Sequence, residues 1–163
     1  MNKAHIQTSQ RRVVEPAVQR AEETGMPAAA IELPDGRIVT GKTSNLLGAS
    51  SSALLNALKM LAGIEHGEHI ISPVILEPIQ HLKVDHLGNH NPRLHTDETL
   101  IALSISAASN PQAERAMAQL DQLQGCEAHS SVILSQVDVS VFKKLGVNLT
   151  TEPEYQTKKL YHK

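Results

Sequence analysis

The chain has 163 residues, a formal net charge of −2 and a single cysteine, Cys126, a length that suggests one domain able to bury roughly 70% of the surface it exposes when unfolded. The near-neutral charge and the presence of only three aromatics, Phe142, Tyr155 and Tyr161, argue against a nucleic-acid stacking platform and against bulk attraction to nucleic acid or to an anionic membrane. The lone cysteine excludes an internal disulfide and fits a reducing, cytoplasmic compartment; no apolar run is long enough to span a bilayer, and no signal peptide is read.

Residues 1–10 are polar and aperiodic, a frayed N-terminus in expectation. From Arg11 to Thr24 the apolar positions Val13, Val14, Ala17, Val18 and Ala21 share one helical face, stopped by Gly25 and Pro27. Pro34-Asp35-Gly36 then separates two β-compatible runs, Ala28 to Leu33 and Arg37 to Thr40, and predicts an antiparallel hairpin. A polar stretch with Lys42, Thr43, Ser44, Asn45 and Ser50-Ser51-Ser52 leads into a helix. Its stripe is Leu54, Leu55, Leu58, Leu61 and Ala62, ended by Gly63.

His69-Ile70-Ile71 reads as a short strand. Ser72-Pro73 reads as an N-cap with proline at the first helical position, opening a helix through Ile75, Leu76, Ile79, Leu82 and Leu87. Pro78 inside it is expected to kink it or shift its start. After the loop Gly88 to Pro92, Thr96 is the expected cap of a helix with Asp97 and Glu98 in its first turn. Leu100 to Ala108 is apolar on nearly every side, which predicts burial. Asn110-Pro111 breaks this helix, and Ala113, Ala116, Met117, Leu120 and Leu123 mark the next.

Ala128 to Ser135 is the next strand. Asp138 is the expected cap of a short helix with Val141, Phe142 and Leu145, and Val147 to Thr151 is the last strand. Strands alternating with helices predict one α/β domain over 11–151, a three-layer α/β/α sandwich; the hairpin makes its sheet mixed. Residues 152–163, with Lys158, Lys159 and Lys163, form a polar tail, a solvated surface or a docking segment.

The stretches LPDGRIVTGKTSNLLGASSSALLNALK, NPRLHTDETLIALSISAASNP, GCEAHSSVILSQVD and EYQTKKLYHK resemble the C-terminal part of an uncharacterised bacterial family of hypothetical UPF-type proteins, domain of unknown function 1846. The resemblance covers about Val13 to Lys163. It implies a cytidine-deaminase-like α/β/α fold and a longer parent protein, whose upstream region carries a phosphate-loop-like stretch without a counterpart here. It implies no assigned activity. Zinc deaminases combine an H-x-E at a helix start with P-C-x-x-C. One cysteine rules out the second motif, and His66-Gly67-Glu68 follows the long helix instead of opening it. No metal is expected. The Lys42 to Asn45 letters are also similar to a purine-pathway transformylase of the same fold.

Candidate ligand-binding residues are Lys42, Ser44, Asn45, Ser50, Ser51 and Arg93, with His95 as the candidate acid or base. Free N–H groups at a helix start attract phosphate or carboxylate, and Lys42 and Arg93 add charge. Ordinary capping by Ser and Asn explains the same letters. Asp97 and Glu98 could hold a metal, although a polar loop entering a capped helix accounts for them. Cys126, Glu127 and His129 could form a Cys-His pair only if Cys126 lies in a loop; otherwise they are a buried thiol and a strand-start histidine. His81, Asp85 and His86 share a helix face that exposure alone explains.

Two readings stay open. One is a site for a phosphorylated or nucleotide-like small molecule at the hairpin-to-helix junction, with reaction and cofactor unread. The other is a structural or oligomerisation module that meets an upstream domain or a second copy, with the helix Arg11 to Thr24 as the face on offer.

Overall fold

The computed structural model describes residues 12–153. They form α1 (Val14–Thr24), β1 (Ala28–Glu32), β2 (Ile38–Lys42), α2 (Ala49–Leu61), α3 (Pro73–His81), α4 (Thr96–Ala107), α5 (Pro111–Met117), β3 (Glu127–Ser130), α6 (Gln136–Lys144) and β4 (Asn148–Thr151). A π-helical turn, Leu82–His86, extends α3, and a 3-10 turn, Leu120–Leu123, follows α5. The sheet runs β2-β1-β3-β4. β1 is antiparallel to both neighbours, whereas β3 and β4 are parallel, so the sheet is mixed.

The hairpin closes as its letters require. Gly36 takes φ +91°, where a side chain would be strained. Its N–H donates to Leu33 O, Leu33 N–H donates to Arg37 O, and the Asp35 carboxylate accepts Arg37 N–H. β1 reads AAAIE and is buried on both faces. Ala30 meets Val13 and Ala17 of the α1 segment on one face, while Ala29 and Ile31 join Leu54, Ala57, Leu58 and Phe142 on the other. Small side chains on β1 let helices approach from both sides. Gly41 extends this on β2: a Cβ there would sit 2.2 Å from Ala53 N and 2.6 Å from Ser52 C.

Several expectations are corrected. Ile70 and Ile71 are buried but form no strand; they are pinned in a loop where Ser106 Oγ donates to Ile70 O. The strand expected over Ala128 to Ser135 stops at Ser130, whose hydroxyl turns back onto Val132 N and O. Ser72 caps α3 and Pro73 opens it, as expected; of the two effects expected of Pro78, a shifted start does not occur, because the helix runs through it as far as the π-helical turn at Leu82. α4 is not buried all round. Thr99 and Ser106 face inward on carbonyl partners, while Ile101 and Ile105 are 55% and 52% exposed. The α1 stripe is covered by the sheet. The exposed apolar side chains lie instead on α3 to α4, at Val74, Leu82, Leu87, Ile101 and Ile105, and around the start of α6. Residues 1–10 and the tail beyond its first two residues lie outside the described residues.

Candidate functional site

The hairpin-to-α2 loop and the loop before α4 are held together by backbone pairing. Leu94 N–H donates to Leu46 O, Gly48 N–H donates to Leu94 O, and Ser51 Oγ also donates to Leu94 O. This bridge carries Arg93 against the α2 loop, where its Nε donates to Ser44 O at 2.5 Å. The neighbouring loop is fixed by Lys83, which is 4% exposed and donates to Arg93 O (2.6 Å) and to Glu98 Oε1 (2.8 Å). Glu98 Oε1 also accepts His95 N–H.

Beside this bridge lies a cavity of about 180 Å³, where β2 and β3 end and the starts of α2, α4 and α6 meet. Thr43, Gly48, Ser50, Arg93, His95 and Asp138 are among its lining residues. Asp138, 7% exposed, ties the three helices together. Its Oδ1 accepts Thr96 N–H (2.9 Å) and Thr96 Oγ1–H (2.7 Å), and its Oδ2 accepts Ser50 Oγ–H (3.0 Å). The N-cap of α2 is Gly48, which has no side chain with which to answer the helix's first N–H groups. Thr43 is 1% exposed, yet its hydroxyl has no hydrogen-bond partner among the described residues. An unanswered buried hydroxyl costs about 1–3 kcal/mol, and Thr43 is one of the residues that border the cavity.

The structure divides the residues singled out in the sequence. Ser50, Arg93 and His95 line this cavity. Ser51 is buried, with its hydroxyl on Leu94 O. Lys42 and Ser44 line a different feature, an open groove of about 830 Å³ along the free edge of β2. Asn45 is exposed, lines neither, and accepts Gln80 Nε2–H through its backbone oxygen. The split follows the chain: Lys42 is the last residue of β2 and is exposed, whereas Thr43, the first residue beyond the strand, turns inward and is 1% exposed.

The groove is wider, but much of its polar lining is engaged. Arg37 pairs with Asp35, Lys59 Nζ donates to His66 O, and Asn56 Nδ2 covers Thr40 O on the strand edge. Burial holds the Lys59 ammonium below its ordinary pKa, opposed by Glu68.

Two expected caps are corrected. His95, not Thr96, occupies the N-cap of α4, because Thr96 is the first helical residue and gives its N–H to Asp138. Ser135, not Asp138, caps α6: its Oγ accepts Asp138 N–H, which frees the Asp138 carboxylate for α2 and α4. Thr43, Lys83 and Asp138 were not among the sequence candidates. No local spacing marks them, since Asp138 meets partners 42 and 88 residues away.

The remaining constellations have partners of their own. His129 is fully buried, with Nδ1 2.7 Å from Thr150 Oγ1 and Nε2 2.7 Å from Glu152 Oε2. Cys126 precedes β3 and donates to Gln122 O; burial first, then Glu32 and Glu127, raises its pKa and disfavours a thiolate. His81 pairs with Asp85 on an exposed face, with the His86 ring edge-on to it. His66-Gly67-Glu68 is an exposed loop after α2. Asp97 is exposed, and Glu98 is engaged by Lys83. Lys158 and Lys159 lie outside the described residues. Among the described residues no helix is long and apolar enough to cross a membrane.

A family profile, domain of unknown function DUF1846, C-terminal, matches residues 9–161. The chain is similar to a UPF0371 protein of Corynebacterium diphtheriae, 58% identical over 163 residues, which are 100% of this chain and 33% of that protein. A UPF0371 protein of Corynebacterium efficiens is 56% identical, and one of Streptococcus thermophilus 53%, with the same shares covered. The chain thus spans about a third of the length of these curated relatives. With nearly all of its length matched, the chain belongs to the DUF1846 family and corresponds to that family's C-terminal domain.

Proposed function

We propose that this domain binds the phosphate or carboxylate of a small molecule in the cavity at the starts of α2, α4 and α6. The carrying observation is Thr43, a buried residue at the border of the cavity whose hydroxyl has no partner among the described residues, beside an α2 start whose N-cap, Gly48, has no side chain. Arg93 supports the reading. Its Nε is used by Ser44 O, and its two terminal nitrogens have no partner among the described residues. Helix-start N–H groups and a guanidinium fork suit the same anionic oxygens. A whole nucleotide would place only its phosphate in so small a cavity. The cytidine-deaminase-like fold remains part of this reading, supported by a mixed sheet with β1 antiparallel to both neighbours and a helix entered directly from the hairpin.

The test is thermal unfolding with millimolar phosphate, adenosine monophosphate or acetate. Wild type should be stabilised by at least one of them, and Arg93→Ala should lose the shift. Thr43→Val should leave apo stability unchanged or raised, since it removes an unsatisfied hydroxyl, yet should weaken the ligand shift. The absence of any shift in wild type would remove the site.

A second reading, an assembly module, rests on the exposed Ile101 and Ile105 and on the parent-length relatives. It places the exposed α3 to α4 residues against the remainder of the longer protein or a second copy. The chemistry then lies elsewhere in that protein.

A further inference from the structure

The cavity at the starts of α2, α4 and α6 carries one fixed charge of each sign, Arg93 and Asp138, and they do not pair with each other. Buried charges are normally matched by an opposite charge or a metal. The partners of Asp138 are all neutral: the Ser50 hydroxyl, the Thr96 hydroxyl and the Thr96 N–H. A carboxylate offers about four acceptor positions. Two donors occupy Oδ1 and one occupies Oδ2, so a position on Oδ2 stays open in a residue that lines the cavity. Arg93 has the complementary surplus of donors, and Thr43, at the cavity's border, adds a hydroxyl without a partner among the described residues. A simple anion would satisfy Arg93 and Thr43 but would sit against the Asp138 carboxylate, and like charges at short range are costly.

We infer that the cavity recognises a small zwitterion, its anionic group held by Arg93, Thr43 and the start of α2 and its ammonium accepted by Asp138. The inference rests on the anion-site reading and adds the second charge. The ligand class is an amine a few bonds from a phosphate or a carboxylate. The volume of about 180 Å³ suits such a molecule. His95, which also lines the cavity, becomes cationic only when protonated and then has Glu98 Oε1 at 3.7 Å.

Matched probes separate the two levels. Calorimetric titration of the full chain compares O-phosphoethanolamine with ethyl phosphate, and alanine with propionate. In at least one pair the zwitterion should bind roughly tenfold tighter, a difference of about 1.4 kcal/mol. Asp138→Asn should abolish that preference while keeping or improving binding of the plain anion, and Ser50→Ala should retain the preference. Equal affinity within both pairs in wild type overturns the zwitterion and leaves the anion site standing. No binding by any of the four probes overturns both. Thermal stabilisation by magnesium chloride alone, lost in Asp138→Asn, would also overturn it by making the cation a metal. The wild-type comparison decides the matter even if Asp138→Asn does not fold.

Discussion

Lys83 shows how one side chain can decide the geometry of a loop it does not belong to. Its ammonium is withdrawn from solvent and takes two oxygens, Arg93 O and Glu98 Oε1. Removing one partner of a buried pair costs more than the pair is worth, about 3–5 kcal/mol, because the other is left buried and unmatched. Glu98 is partly exposed, so the lower end applies. Lys83→Ala should therefore lower unfolding free energy by about 3 kcal/mol, and Lys83→Met paired with Glu98→Gln should lose less. Chemical denaturation of the three proteins measures both. Lys83→Ala should also weaken binding at the cavity, since the carbonyl it holds belongs to Arg93.

At the scale of elements, the close contact of β2 with α2 depends on Gly41. The added Cβ of Gly41→Ala would fall 2.2 Å from Ala53 N and 2.7 Å from Ala53 Cα, both backbone atoms that cannot rotate away. The helix would have to move off the strand, and overpacking of this kind costs roughly 1–3 kcal/mol. The expected result is a loss near the top of that range in a denaturant titration. Ligand binding should fall as well, because the same displacement carries Gly48 and Ser50 away from Thr43. A similar change at an open glycine, Gly67→Ala, has nothing within 4 Å of its Cβ and should be close to neutral.

For the molecule as a whole, the notable feature is where apolar surface remains uncovered. α4 buries Thr99 and Ser106, whose hydroxyls donate to His95 O and Ile70 O, and leaves Ile101 and Ile105 outward, one turn apart on the same face. Leu82 and Leu87 are exposed in the turn after α3. Sedimentation of the isolated chain should show association or binding of an apolar dye. Ile101→Lys combined with Ile105→Glu should return it to a dye-free monomer with thermal stability changed by less than about 0.5 kcal/mol, as for ordinary surface substitutions. A wild-type monomer without dye binding would count against the assembly reading.

What the sequence determined by itself was local. Pro34-Asp35-Gly36 set a hairpin because turn dihedrals are fixed by three residues. Leu54, Leu58 and Leu61 set a helix because its period repeats within one turn. Ser72-Pro73 set a helix start. From these, a mixed α/β chain followed. Membership in the family was also legible, since the motifs run nearly the whole length. Which residues meet was decided only by the tertiary structure. Lys42 and Thr43 are adjacent in sequence, yet Lys42 ends a strand exposed and Thr43, just beyond it, is buried. Thr43, Ser50, Arg93 and Asp138 converge only because the Leu47–Leu94 bridge and the Asp138 hydrogen bonds span dozens of residues. Ile70 and Ile71 read as a strand by composition, yet a strand needs a neighbour, and none was placed beside them. Propensity and period act over a turn or a strand, whereas a cavity is defined by contacts whose partners no short stretch of letters can name.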